Sequence, residues 1–188
     1  DRPHILFCKA TGRFVCWIKI MEKDGTQDYT ILSAAQLLGP YKLEKEHFRP
    51  FGFSGGDFDL AQENGEACIF FEKVHSEMIC ARLTPDHLDV EEGVHFLERP
   101  HPPFVREAPA HFARENTHYL ITSGTTGYFP NPSLLCTAKQ LFAAYTEAGD
   151  PHSGDLSHTS FHSQISSVFR IPGQNVWIAL ADRWLPDC

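Results

Sequence analysis

The chain has 188 residues, a length that fits one domain, and 42% of them are hydrophobic, enough to build a core and to exclude wholesale disorder. Its formal net charge is −8 with no basic run, which argues against a nucleic-acid partner and against an anionic membrane surface. No stretch reaches the length of a transmembrane helix, whereas a neutral polysaccharide would be indifferent to the charge.

Residues 5–20 (ILFCKATGRFVCWIKI) read as two apolar strands joined at a Thr11-Gly12 turn, with further strands at 29–35 and 40–44. Residues 57–74 repeat that hairpin around Glu63-Asn64-Gly65 and continue into strands at 77–84 and 87–92. Residues 108–124 repeat it around Arg114-Glu115-Asn116, followed by 133–142 and 144–149. Within the last stretch QLFAAYTEA (140–148) reads either as a turn or two of helix or as the approach to an outer strand. Residues 164–184 form a fourth hairpin around Pro172-Gly173.

The residues opening these units are Asp1, Asp57, Glu107 and Gln164, a period of roughly 50 residues. A four-stranded unit at that period predicts an all-β fold of the β-propeller type. A β-sandwich also has many short strands but does not explain the constant spacing. In a propeller the first strand of every blade lines the central channel, so the four opening residues converge at one mouth. Three are carboxylates and one is an amide. Glycosidases generally work with a pair of carboxyl groups, and like charges gathered in a pocket raise the pKa of one of them, which suits it to be a general acid. Asp59 alternates with Asp57 and presents a competing carboxylate on the same face.

The six cysteines (Cys8, Cys16, Cys68, Cys80, Cys136, Cys188) include no C-x-x-C pair, and five lie in apolar strand-like runs, as buried free thiols do. His152, His158 and His162 share a Ser/Gly/Asp loop without helical spacing. No metal and no cofactor is expected.

The segments DRPHILF, GDFDL, REAPAHF, HYLITSGTTGYFPNP, FHSQISSVF and ADRW, in this order, resemble glycoside hydrolase family 43, most closely its exo-β-1,3-galactanase subgroup. The resemblance spans nearly the whole chain. It implies a five-bladed β-propeller, of which residues 1–188 would be a partial domain of about three and a half blades. It implies hydrolysis of a β-linked galactan or related plant polysaccharide side chain with inversion. Glu107 of REAPA would be the general acid, Asp57 of GDFDL the carboxylate that tunes it, and Gln164 of the SQ motif the group that positions or activates water. Substrate contacts would come from Asp1, Glu98, Thr126, Tyr128 and Asn131. For Glu98 a salt bridge competes with that role, and for the other loop residues turn chemistry does. An extracellular location is likewise implied by resemblance alone. Asp1 stands where the family has Glu, Gly56 where it has Arg before the tuning Asp, and Tyr128 where it has Trp. A carbohydrate-binding propeller without turnover, or a related xylosidase or arabinofuranosidase, are the alternatives.

Overall fold

The computed structural model describes residues 2–185. Among them the chain forms fourteen strands and no α-helix. The first sheet is a meander of β1 (His4–Cys8), β2 (Arg13–Met21), β3 (Gln27–Ala34) and β4 (Lys42–Phe48). The second has β5 (Gly55–Glu63), β6 (Glu66–Lys73), β7 (Glu77–Leu83) and β8 (Val90–Phe96). The third has β9 (Arg106–Arg114), β10 (Thr117–Gly124), β11 (Leu134–Ala138) and β12 (Thr146–Gly149). β13 (Ser163–Arg170) and β14 (Trp177–Arg183) pair as a two-stranded sheet. These are three whole units and half of a fourth, in the order that the repeat predicts. Among the described residues no helix is long and apolar enough to cross a membrane.

Local chemistry explains the meanders. Asn64 and Gly65 both adopt positive φ (50° and 89°), the conformation of a type I′ turn, and register Glu63 against Glu66. Outer strands are polar and exposed: β4 reads KLEKEHF and β12 TEAG, which discourages edge-to-edge pairing. Two outer strands lie a few residues later than the apolar pattern suggests, at Lys42–Phe48 and Val90–Phe96, because turn residues occupy the expected starts. QLFAAYTEA is not helical; its end is the edge strand β12.

The central sheet is buried on both faces, and strict alternation divides its side chains between two cores. Leu60, Ile69, Phe71, Ile79 and Ala81 pack against Val15, Trp17, Tyr29 and Ile31 of the first sheet. Their neighbours Ala61, Cys68, Phe70, Met78 and Cys80 pack the other way, against Leu120, Cys136, Leu141 and Tyr145. Ala110 and Ile121 then meet Ile165 of the last sheet. Cys8, Cys16, Cys68, Cys80 and Cys136 are buried free thiols; Cys188 lies outside the described residues. The sheets therefore stack face to face in chain order. Their first strands adjoin one another, β1 with β5, β5 with β9 and β9 with β13.

Candidate active site

A cavity of about 420 Å³ opens where the first strands begin. Asp57, Glu107, Gln164, Lys19, Arg2 and Asp182 supply its polar lining, and Tyr128 and Trp184 its aromatic part. Each of the three central residues sits beside an irregularity in its strand. The β5–β6 register shifts between Gly55 and Phe58, the β9–β10 register between Ile121 and Ser123, opposite Glu107, and the β13–β14 register between Ile165 and Ser167. Ala108, next to Glu107, carries a positive φ of 49° although it is not glycine. Bulges and backbone strain of this kind re-aim side chains at functional sites.

Gln164 is buried and joins the two halves of the site. Its Nε2 donates to Glu107 Oε1 at 3.3 Å and to Ser123 Oγ at 2.6 Å. Its Oε1 accepts from Arg2 at 2.5 Å. Asp57 receives two cations: Lys19 Nζ at 2.5 Å on Oδ1 and Arg2 Nη1 at 3.9 Å on Oδ2. Arg2 also approaches Asp182 at 3.8 Å. The Arg106 guanidinium donates to the Thr122 carbonyl at 2.7 Å and the Pro132 carbonyl at 3.2 Å, so its influence on Glu107 is through charge alone.

Burial, reinforced by the negative charges of Glu72 and Asp57, pushes the Glu107 carboxyl up to about 7. The Gln164 hydrogen bond and Lys19 act in the opposite direction. Glu72 is itself raised, chiefly by burial. Its carboxylate occupies the space a side chain at position 56 would need: a Cβ on Gly56 would lie 2.3 Å from Glu72 Oε2. The small residue at 56 is thus matched by a buried acid one strand away.

The other expected contacts separate. Asp1 lies outside the described residues. Tyr128 lines the cavity and meets Trp184 in an edge-on contact at 5.8 Å, 70° between planes. Thr126 and Asn131 do not line it. Asn131 laces its own loop, accepting from Gly124 N at 2.7 Å and donating to the Gly124 carbonyl and to Thr126 Oγ1. Thr126 in turn donates to the Phe129 carbonyl, so the pair shape the turn that carries Tyr128. Glu98 is exposed on the β8–β9 connection, away from the cavity. Asp59 accepts from the backbone of His111 at 2.7 Å and pairs with His4 at 3.0 Å, which occupies it elsewhere.

Sequence reading missed Lys19, Arg2, Glu72 and Ser123. Lys19 and Glu72 sit inside second strands among apolar residues, where only the buried charge itself is a signal. Ser123 lies opposite Glu107 in the register. Asp182 and Trp184 of the ADRW segment also face the cavity.

No family model and no curated protein matches the sequence. Solved structures do. A GH43 β-1,3-galactosidase with galactodeoxynojirimycin superposes with a TM-score of 0.86 at 21% identity, over 99% of this chain and 68% of that one. An exo-β-1,3-galactanase of Bifidobacterium bifidum, so named provisionally, gives 0.82 at 23% identity, over 98% and 62%. An exo-β-1,3-galactanase of Phanerochaete chrysosporium with galactose gives 0.80 at 20% identity, over 99% and 43%. The chain has the fold of these GH43 structures. It spans between 40% and 68% of the length of the first ones it matches.

Proposed function

We propose that the chain is catalytic material of a family 43 glycoside hydrolase that cleaves a β-linked galactan or related polysaccharide side chain with inversion. The observation that carries this reading is Glu107: a carboxyl raised to about 7 in a cavity that also holds a cation-paired carboxylate and an aromatic pair. Half protonated near neutrality, it has the acidity a general acid needs to protonate a glycosidic oxygen. Asp57 sustains that acidity by its charge. Tyr128 and Trp184 offer apolar faces to a sugar ring.

Inversion also needs a water delivered from the opposite face and a group to take its proton. Gln164 has its carbonyl oxygen engaged by Arg2 and its nitrogen donating, so the ordinary amide form suits both contacts, and it serves to orient the water. Asp182 is its cross-strand partner, lines the same cavity and is 64% exposed at its side chain. In this reading Asp182 accepts the proton. Lys19 bears on the rival reading of a binding propeller without turnover, because it supplies a cation to Asp57 where Gly56 supplies none. The names of the structural neighbours favour galactose-containing substrates. The natural location of such polymers makes an extracellular protein the natural expectation.

Product analysis on a panel of β-1,3-, β-1,4- and β-1,6-linked galacto-oligosaccharides, with xylo- and arabino-oligosaccharides as controls, tests the reading. Release of galactose, first appearing as the α-anomer by NMR, is the expected result. Binding without product, or a β-anomer released first, would defeat it.

A further inference from the structure

The rim of the first sheet holds a side-chain cluster that the cavity chemistry does not use. Glu22 follows directly on β2, Asp28 is the second residue of β3, and His47 is the penultimate residue of β4. Cross-strand register sets Asp28 opposite Ile20 and Tyr29 opposite Phe48, so three strands deliver these side chains to one place. His47 Nδ1 lies 3.2 Å from Asp28 Oδ2 and 3.2 Å from Glu22 Oε1. One donor atom from each residue falls within 4.8 Å of the other two.

Asp28 sets this cluster apart from a surface ion pair. It is 0% exposed, while Glu22 and His47 reach solvent. Its Oδ1 is buried and has no hydrogen-bond partner. A carboxylate oxygen withdrawn from water without a donor is costly. His47 cannot repair this, since its one Nδ1–H already faces two carboxylates. A cation held between the three groups would offset the charge of this buried carboxylate, which one shared Nδ1–H does not. The two His47 distances also suit a cation: ligands about 2.0–2.2 Å from a common ion stand roughly 3–3.5 Å apart in tetrahedral or octahedral arrangement. An imidazole with two carboxylates favours a transition ion over calcium or magnesium, which prefer all-oxygen shells.

We propose that Glu22, Asp28 and His47 bind a divalent transition-metal ion of the zinc or manganese class, with water completing its shell. The ion would tie the β2–β3 turn to the end of β4. That turn directly follows Met21, which lines the cavity with Lys19, so the metal braces the wall from which Lys19 reaches Asp57. The role is structural, and it stands whether or not Glu107 is a general acid.

Titration of the metal-free full chain with Zn²⁺ by calorimetry, and with Co²⁺ followed by its visible absorption, tests the proposal. The Co²⁺ spectrum separates this site from the cysteines, because thiolate ligation adds an intense charge-transfer band that nitrogen and oxygen ligands lack. The expected result is a single tight equivalent, a Co²⁺ spectrum free of that band, and a higher melting temperature with metal. Glu22→Gln, at a solvent-reaching position, should abolish the tight equivalent while leaving the metal-free melt near that of wild type; His47→Ala should abolish it too but lower the metal-free melt, because it takes from Asp28 the partner of its Oδ2. Binding that persists in both variants, a thiolate band, or no tight equivalent in the wild type would each overturn it.

Discussion

Replacing Glu107 by Gln removes an ionisable group while keeping its shape, and the structure fixes how stability should respond to pH. In the unfolded chain the carboxyl loses its proton near the ordinary value of 4.5; in the folded protein it holds the proton up to about 7. Between those values the native state binds more protons than the unfolded one, so stability falls as pH rises, and the loss is complete above the folded value. The difference corresponds to roughly 3 kcal/mol, of which about 2–3 kcal/mol separates pH 5 from pH 8. Glu107→Gln carries no such penalty. Its stability relative to wild type should therefore improve by about 2–3 kcal/mol on going from pH 5 to pH 8, or roughly 5–10 °C in melting temperature for a chain of this size. Urea unfolding of both proteins at the two pH values measures it, and the common contributions of the histidines cancel in the difference. A wild-type-to-variant difference that is flat with pH would refute the raised carboxyl and with it the assignment of the acid. In the same window the wild type's kcat/KM should decline above about pH 7, as Glu107 loses its proton.

Lys19→Met strips Asp57 of its closest cation; it should cost roughly 2 kcal/mol of stability and move the alkaline limb of the pH–rate profile upward, because Lys19 acts to lower Glu107. Glu72→Gln should move that limb downward, since the Glu72 charge helps hold the proton on Glu107; an unmoved limb would remove Glu72 from the site's electrostatics. Trp184→Ala should raise KM by up to about tenfold with kcat largely kept, as expected for a ring that binds sugar and does no chemistry. Asp182→Asn should lower kcat by roughly 10²–10⁴-fold if Asp182 takes the proton from water, and wild-type turnover would remove Asp182 from that duty.

The repeat was legible because each unit restates the same physics: an apolar run, a glycine- or asparagine-bearing turn, and a second apolar run. That pattern indicates the sheets, and the period indicates their stacking order. It also anticipates that Asp57, Glu107 and Gln164 share a cavity, as they do. What it could not reveal is anything carried by register. The irregularities at Gly55–Phe58, Ile121–Ser123 and Ile165–Ser167 leave no mark in an alternating pattern, yet they aim the three side chains. Asn131 shows the converse failure. A polar residue in a loop after the strands that carry a candidate acid looks like a sugar ligand, but its amide is consumed by its own backbone.

The position before Asp57 illustrates why motif departures have to be judged in three dimensions. In sequence, Gly56 in place of arginine reads as a lost cation. In the fold, β2 lies beside β5, and Lys19 delivers a cation to Asp57 from the neighbouring sheet. The room at Gly56 is filled by Glu72, whose charge acts on Glu107 in the same sense as that of Asp57. The two cations converge on Asp57, while Glu107 receives its hydrogen bond from a neutral amide. A cavity divided in this way gives its two carboxyl groups different environments, which is the condition for one to donate a proton while the other holds its charge nearby. Glycine in place of arginine at 56 thus goes with a different distribution of charge, and the burial and negative neighbours that raise the Glu107 carboxyl remain.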